Sequence, residues 1–457
     1  MPLTHPDATK NWVLQSALEF ALEREPDAIP QQTLNASAMM LLDTLGVCIA
    51  AQPMEAGTIA RTAALRLYGT SQPDDQAPMM FDGRIASRAG AAFATATQID
   101  NLDAHDGYNP TKGHIGVAAV PTLVAMAHGQ DDLSGRDALA ALVVGYEIAG
   151  RAGIALHESV SDYHTSGAWN GLGVAAIAAR LNGMSADQLR HAWGIAEYHG
   201  PRSQMMREIA NPTMLHDGSG MGTLVGISAA VMAQMGFTGA PALTIESDEC
   251  SRHWADLGQF WQMEHQYVKP YPICRWAHAA IDAVRELRIE KKFAPEQIAA
   301  IEVHSFHNAA RLFPTVPDTT SQAQYSMAFA VAIMAAYGEI TLDHISGTGL
   351  RDTLVAGLVN KTRTVETEQH EARFPGGRWA DVVVTLTDGT RLKSGDTHAR
   401  GGPERPMSLS EVCAKFMALA TPVIGDLRAG LIRDAALSLT EADVPFTALT
   451  QHLIEAP

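Results

Sequence analysis

The sequence predicts a mainly α fold, with a large all-helical domain and a smaller α+β domain. Three observations carry this expectation. From about residue 10 to 266, small and aliphatic side chains recur at three- and four-residue spacing, the period of a helix with a buried face. Beyond YVKPYPICRW (267–276) strand-like alternation enters, and after GGPERP the helical period returns. The expected organisation is a helical domain over 1–266, an α+β domain over 267–402, and helices over 403–457 that return to the first domain.

In chain order, SALEFALER, QTLNASAMMLLDTLGVCIAA, AGAAFATATQI, VPTLVAMAHG, GRDALAALVVGYEIAGRAGIAL, NGLGVAAIAARLNG and TLVGISAAVMAQMG each read as a helix. Their apolar faces are rich in Ala and Gly, which lets helices approach closely. Ser185 followed by Gln188 is a capping box that opens SADQLRHAWGIAEYHG. In the second domain AAIEVHSF (299–306) alternates as a strand. WADVVVTLTDGTRLKS (379–394) reads as a hairpin turning at Asp388–Gly389, with Val and Thr on its arms. HAAIDAVRELRIEKK and YSMAFAVAIMAAYG are the helices between them. SLSEVCAKFMALA (408–420) opens the final helical stretch with a second capping box.

Composition narrows the functional classes. The chain has 457 residues, enough to bury a large core in two or three domains. Its formal net charge is −17 and its basic residues are scattered, so a nucleic-acid partner is not expected. Apolar runs such as AALVVGYEIAG (140–150) read as too short and too interrupted to span a bilayer. MPLTHPDATKNW lacks the basic and apolar regions of a signal peptide. Cys48, Cys250, Cys274 and Cys413 have no paired spacing, which fits a reducing cytoplasm and neither a zinc site nor a disulfide framework.

Chemistry concentrates in four irregular breaks between helices, where loops display side chains that helices hold rigid. The first is DAHDGYNPTKGHIG (103–116), with Asp103, His105, Asp106, Lys112 and His114 ahead of a Gly-rich helix entry. The second, SDYHTSGAWNGLG (161–173), places His164 at another such entry. The third, EYHGPRSQMMREIANPTMLHDGSGMG (197–222), holds His199, Arg202, Arg207, His216 and Asp217. The fourth, VKPYPICRWAH (268–278), holds Lys269, Tyr271, Arg275 and His278. Histidine and lysine exchange protons near neutral pH when their surroundings tune them, and arginine binds carboxylates bidentately. The inventory points to proton transfer on a small carboxylate-bearing molecule without a redox cofactor.

Plainer readings stand beside these. His105, Asp106 and His114 are a conceivable metal set, but no HExxH or cysteine spacing supports one. DGSGMG (217–222) resembles a nucleotide loop, yet no strand precedes it, so helix packing or capping is expected there. No GxSxG elbow is present. His191 and His304 lie in regular elements and read as structural or surface residues. Lys112 could be a solvated loop charge partnered by Asp106, and Met205 and Met206 read as packing residues.

The chain resembles the MmgE/PrpD family, which includes 2-methylcitrate dehydratase, cis-aconitate decarboxylase and iminodisuccinate epimerase. The likeness runs through LLDTLGVCIAA (41–51), GHIGVAAVP (113–121), YHTSGAWNGLGVAAIAARLNGMS (163–185), MGFTGAP (235–241), KPYPICRWAHAAID (269–282) and QYSMAFAVA (324–332). It implies the same two-domain fold, usually as a homodimer, and an active site between the domains that uses no cofactor. By motif, His114 matches the family histidine before the Gly-rich helix, and Asp103 or Asp106 matches its nearby aspartate. His164 matches the second histidine, Lys269 the lysine of KPYP, and Tyr325 the tyrosine of the small domain. Methylcitrate dehydratases and aconitate decarboxylases carry a lysine just before a Leu-His or Phe-His pair. Here PTMLHDG puts Thr213 in that place, and the DAHDG…TKGH loop is also unusual. Both features resemble epimerase-type members.

The expected function is abstraction of a proton α to a carboxylate on a small di- or tricarboxylate. Epimerisation of an iminodisuccinate-like substrate is favoured, with methylcitrate-type dehydration or cis-aconitate-type decarboxylation as alternatives. A non-catalytic polycarboxylate-binding protein is the rival from another class. His114 and His164, or Lys112, would serve as base and acid, with Asp106, Lys269 and Tyr325 in the catalytic set. Asp103, His105, Arg202, Arg207, His216 and Arg275 would bind substrate.

Overall fold

The computed structural model describes residues 12–457. The stretch read as lacking a leader, residues 1–11, lies outside the described residues. Among the described residues ten helices of six residues or more build the N-terminal part: α1 (Trp12–Glu23), α2 (Gln31–Ala51), α3 (Glu55–Leu67), α4 (Arg88–Asp100), α5 (Gly116–Ala127), α6 (Gly135–Ser159), α7 (Gly167–Leu181), α8 (Ala186–His199), α9 (Met205–Ala210) and α10 (Ser219–Gln234). Their starts follow local chemistry. Ser87 and Ser134 accept main-chain N–H groups of α4 and α6, and the Ser185–Gln188 capping box forms at α8. A short hairpin, β1 (Gln76–Pro78) with β2 (Ile85–Ser87), interrupts the helical series.

Small residues set the packing. A Cβ on Gly222 of α10 would stand 2.7 Å from the Gly167 carbonyl of α7, so that crossing needs glycine. This is the role of DGSGMG, and it agrees with the expectation of helix packing and capping. Trp169, Trp193 and Trp254 are fully buried among these helices. Each removes roughly 200 Å² of aromatic surface from water, worth about 5 kcal/mol.

One expectation needs correction. The apolar runs are not too short: α2 has 21 residues and α6 has 25, long and apolar enough to cross a membrane by length and composition. Gly145, Tyr146 and Glu147 do not interrupt α6, because Glu147 pairs with Arg151 one turn later inside the core. In the most apolar windows of the two helices, 83% and 94% of residues are buried within the protein.

The second region carries a mixed sheet: β3 (Ile298–Ser305), β4 (Thr362–Glu366), β5 (Trp379–Leu386), β6 (Arg391–Lys393) and β7 (Thr397–His398). The order is β4-β3-β5-β6, with β7 also on β5. Only the β3–β4 pair is parallel. The hairpin at Asp388–Gly389 forms as expected, with Gly389 at φ 88°. On β5, Ala380, Val382 and Val384 point inward. A register irregularity between Ile298 and Ala300 turns Ile298 to the same face as Ile301 and Val303 of β3. Helices His278–Lys291 and Met327–Tyr337 cover that face.

Two apolar cores result. One joins α1–α8 and α10 to residues 407–453; the other is built from residues 271–399 plus Met205 and Ile209 of α9. The Ser408–Glu411 capping box opens the Leu409–Ile424 helix, which packs along α2. The four cysteines are free.

Candidate active site

The loop 103–116 folds back on itself through a bridge between Tyr108 and Gly113, and a bridge from Gly107 to Tyr267 ties it to the KPYP segment. Pro110 and Lys112 apart, its residues are buried, and Asp103 and Lys112 take positive φ angles of 48° and 54°. Such backbone costs of order 1–3 kcal/mol per residue and persists only where surroundings over-determine it.

His114 is the best-defined group. Its Nδ1 lies 2.6 Å from the Asp106 carbonyl oxygen, which can only accept, so Nδ1 carries the proton and Nε2 keeps its lone pair. Nε2 faces the Asp217 carboxylate at 3.6 Å. The main-chain N–H of His114 donates to Ser166 Oγ at 2.9 Å. Burial, together with Lys269, holds this imidazole below its ordinary pKa, against the opposite pull of Asp217 and Asp103. The balance favours the neutral ring. Asp106 positions it through the main chain. One oxygen of its carboxyl, Oδ2, accepts from the Tyr146 hydroxyl at 2.8 Å and the Gly116 N–H at 3.4 Å, the other has no hydrogen-bond partner among the described residues, and burial pushes the group up to about 7.

Of the two loop aspartates, Asp103 reaches the KPYP lysine. Its carboxylate forms a buried ion pair with Lys269, whose Nζ also donates to the Asp103 carbonyl at 3.2 Å. Burial alone would lower the lysine, but Asp103 together with Tyr267 and Cys274 outweighs it and the ammonium ends above its ordinary range. His105 packs edge-on to His114 at 4.5 Å; neither ring nitrogen has a hydrogen-bond partner among the described residues, and Nε2 lies 3.7 Å from the Asp100 carboxylate. Burial holds it well below the imidazole range. Ligand atoms of Asp103, His105 and His114 come within 4.8 Å of one another, a geometry that could hold a metal. The chemistry disfavours one. The Lys269 ammonium already neutralises Asp103, and a divalent ion there would sit against it.

The segment after α8 closes the cluster. Asp217 (φ 42°) and Gly218 (φ 65°) make a sharp turn. The turn sets the Asp217 carboxylate at the α7 N-terminus, where it accepts from Ser166 N at 3.1 Å and Ser166 Oγ at 2.6 Å. The Tyr325 hydroxyl donates to Glu208, whose other oxygen accepts the Asp217 N–H at 2.8 Å. Burial, with Asp217 next, pushes the Glu208 carboxyl well above its usual range. Asp100 behaves likewise while capping Ser219. His216 packs 5.3 Å from the Tyr325 ring, with both nitrogens unpartnered among the described residues. Burial lowers it too, against Asp103 and Asp217.

The structure therefore gathers Asp103, His105, His114, His216, Lys269 and Tyr325 into one cluster. Arg275 joins from the fourth segment, its guanidinium 4.4 Å over the Tyr267 ring, and Tyr267 lies 6.3 Å from His114. Others lie apart. Lys112 has no bond to Asp106 and stands 4.3 Å over the Tyr163 ring. His164 is buried at the α7 entry, its nearest charged neighbours being Arg202 and Asp162. Arg202 and Arg207 are exposed, as is His199, and Arg207 lines a surface pocket with Asp162 and Tyr163. Tyr271 and His278 are spent locally, on Asp282 and the Ile273 carbonyl.

Sequence reading passed over Asp100, Ser166, Glu208, Tyr267, Arg378 and Lys415. Lys415 of the Leu409–Ile424 helix reaches Asp43 at 2.6 Å and the Ala104 carbonyl at 2.7 Å, bracing the first loop from behind. A groove of about 930 Å³ is lined by Asn101 and Leu102, by Pro212, Thr213 and Met214, and by Asp318 and Gln322, with none of the cluster residues in its wall.

Residues 16–256 match the MmgE/PrpD N-terminal domain and residues 271–440 match the MmgE/PrpD C-terminal domain. The chain is 24% identical to a cis-aconitate decarboxylase-like protein of Aspergillus oryzae, with 97% of this chain and 98% of that protein aligned. It is 25% identical to human cis-aconitate decarboxylase over 87% of this chain and 85% of that protein. The mouse cis-aconitate decarboxylase is 22% identical, over 85% and 82% respectively. With both domains matched in order across most of its length, the chain belongs to the MmgE/PrpD family.

Proposed function

We propose that this protein moves a proton at the carbon α to a carboxylate of a small polycarboxylate, using its own side chains. The observation that carries this reading is His114. It is a buried imidazole whose proton is fixed on Nδ1 and whose Nε2 is free, set among Asp217, Asp103 and Lys269. Removing an α-proton leaves negative charge on the carboxylate oxygens, where a preorganised ammonium stabilises it in a water-poor site. Lys269, kept charged by Asp103, meets that need.

Epimerisation of an iminodisuccinate-like substrate is our leading reading. His216 is a second buried imidazole with the same charged neighbours, Asp103, Asp217 and Lys269. In that cycle His114 Nε2 takes the α-proton, and His216, loaded with a solvent proton, returns one to the opposite face. The two rings thereby exchange protonation states. Thr213, where a lysine stands in dehydratases and decarboxylases, favours the same reading. A second reading is decarboxylation of a cis-aconitate-like substrate, in which His114, first loaded at Nε2 with a solvent proton, delivers it to the α-carbon as the bond to the departing carboxylate breaks and CO₂ leaves. The printed names of the three relatives favour it. The homodimer implied by the resemblance belongs to the proposal and is checked by sedimentation.

Proton NMR in D₂O against iminodisuccinate stereoisomers, methylcitrate and cis-aconitate separates the outcomes. Exchange with inversion supports epimerisation. Release of CO₂ from cis-aconitate, with no exchange into iminodisuccinate, replaces it with the second reading. No exchange or turnover with any of them would overturn both.

A further inference from the structure

A buried charge without a counter-ion is costly, and proteins neutralise nearly all of them. Among the described residues five lysines and arginines are buried: Arg61, Arg151, Lys269, Arg275 and Arg378. Three have a carboxylate partner: Arg61 has Asp82 at 3.2 Å, Arg151 has Glu147 at 3.3 Å, and Lys269 has Asp103. Arg275 and Arg378 have none. Arg275 donates only to the carbonyls of Ala399 and Arg400, and Arg378 only to those of Pro375 and Gly377. The Nε of each has no partner. The acids in electrostatic reach are engaged elsewhere or solvated. Asp282 accepts from Tyr271 and from the Arg400 N–H, both at 2.8 Å, and Glu404 is half-exposed.

The two guanidiniums are electrostatic neighbours of each other. Arg275 lies over Tyr267, and Arg378 stands 4.8 Å over the Phe374 ring, which meets Trp276 edge-on, while Trp276 packs 6.4 Å from Tyr163. Lys112, the third cation here, sits over Tyr163 with no carboxylate bonded to it, held by a positive φ of 54°. Tyr267 in turn borders His114.

We propose that Arg275, Arg378 and Lys112 form an anion subsite that takes a second carboxylate of the substrate, remote from the reacting carbon. It rests on the polycarboxylate reading above and adds to it a recognition pole opposite the His114–Lys269 pole. Guanidinium forks suit a carboxylate because they bind it bidentately, and water exclusion strengthens each bond. A substrate with one carboxylate at Lys269 and another at Arg378 has its intervening carbon fixed beside His114.

Calorimetric titration of the full chain with tricarballylate (propane-1,2,3-tricarboxylate) and with sulfate tests this. Arg378→Gln is expected to weaken tricarballylate binding about 10- to 100-fold, the loss typical of a charged hydrogen-bonded contact. Lys112→Met is expected to weaken it by a smaller factor. Lys112 is in a half-buried loop position, so Lys112→Met decides if Arg378→Gln does not fold. Wild type that binds sulfate but no carboxylate, with sulfate binding lost in Arg378→Gln, supports the subsite while sinking the functional reading. Folded variants that bind tricarballylate as wild type does would overturn the subsite, and so would a wild type that binds neither anion.

Discussion

The loops 103–116 and 200–218 both looked like catalytic breaks, yet they present their residues in opposite ways. In the first, nearly every side chain is buried, and the charged groups turn inward against Lys269, Tyr146 and Asp217. In the second, the arginines that suggested substrate binding face solvent, while Glu208 and Asp217 face the site. The contrast teaches that residue type nominates a loop but not a side of it. The inward face is chosen by what waits there. In the first loop that is a lysine and an imidazole; in the second it is the α7 N-terminus and the Tyr325 hydroxyl.

The largest effect expected from this contrast is at His114. His114→Gln should lower α-proton exchange by roughly 10²–10⁴-fold with the fold intact, read by NMR exchange and thermal denaturation. Exchange within a few-fold of wild type would remove the base assignment. Next is Asp217→Asn, which takes away the carboxylate 3.6 Å from Nε2 that favours the protonated ring. Turnover should fall about 10- to 100-fold, and His114 should become harder to protonate. The pH profile is the third test. Burial already lowers His114, so the base form survives acidification and the acid limb of kcat/KM should lie below the ordinary imidazole value of about 6.5. In Asp217→Asn the limb should move lower still, and a limb above 6.5 in the wild type would contradict the assignment. Glu208→Gln comes fourth, with about a tenfold loss, because a neutral amide keeps a bond to Tyr325 but alters the donor pattern at Asp217. The smallest effect belongs to Arg207→Ala and Arg202→Ala, for which kcat/KM is expected to stay within about twofold. A tenfold rise in KM would show that these arginines fold inward when substrate binds.

Much of the architecture was legible in the sequence for a physical reason. Ala and Gly at helical spacing leave few alternatives to close helix packing, and the two Ser-led capping boxes mark helix starts by local hydrogen bonding alone. The Asp388–Gly389 turn was legible because a tight hairpin needs a residue that tolerates positive φ. His114 and Lys269 stood out through their Gly- and Pro-rich settings and through family likeness. Glu208 did not, because it is one acid in a short helix whose partner, Tyr325, lies 117 residues onward. Arg378 was hidden likewise: only the absence of a carboxylate beside it in space sets it apart from a surface arginine. Run length alone is a poor guide to α2 and α6, whose apolar character is accounted for by their burial in the core.

The Lys415 brace has a consequence for how the molecule is made. Position 415 leaves the ribosome more than three hundred residues after the loop it supports, yet its ammonium grips both Asp43 and the Ala104 carbonyl. Until the Leu409–Ile424 helix docks along α2, the Asp43 carboxylate is buried without its cation and the loop behind His114 has no prop. A nascent chain can assemble its first helices in order, but the prop behind the 103–116 loop arrives only once residue 415 has been made and its helix has docked along α2.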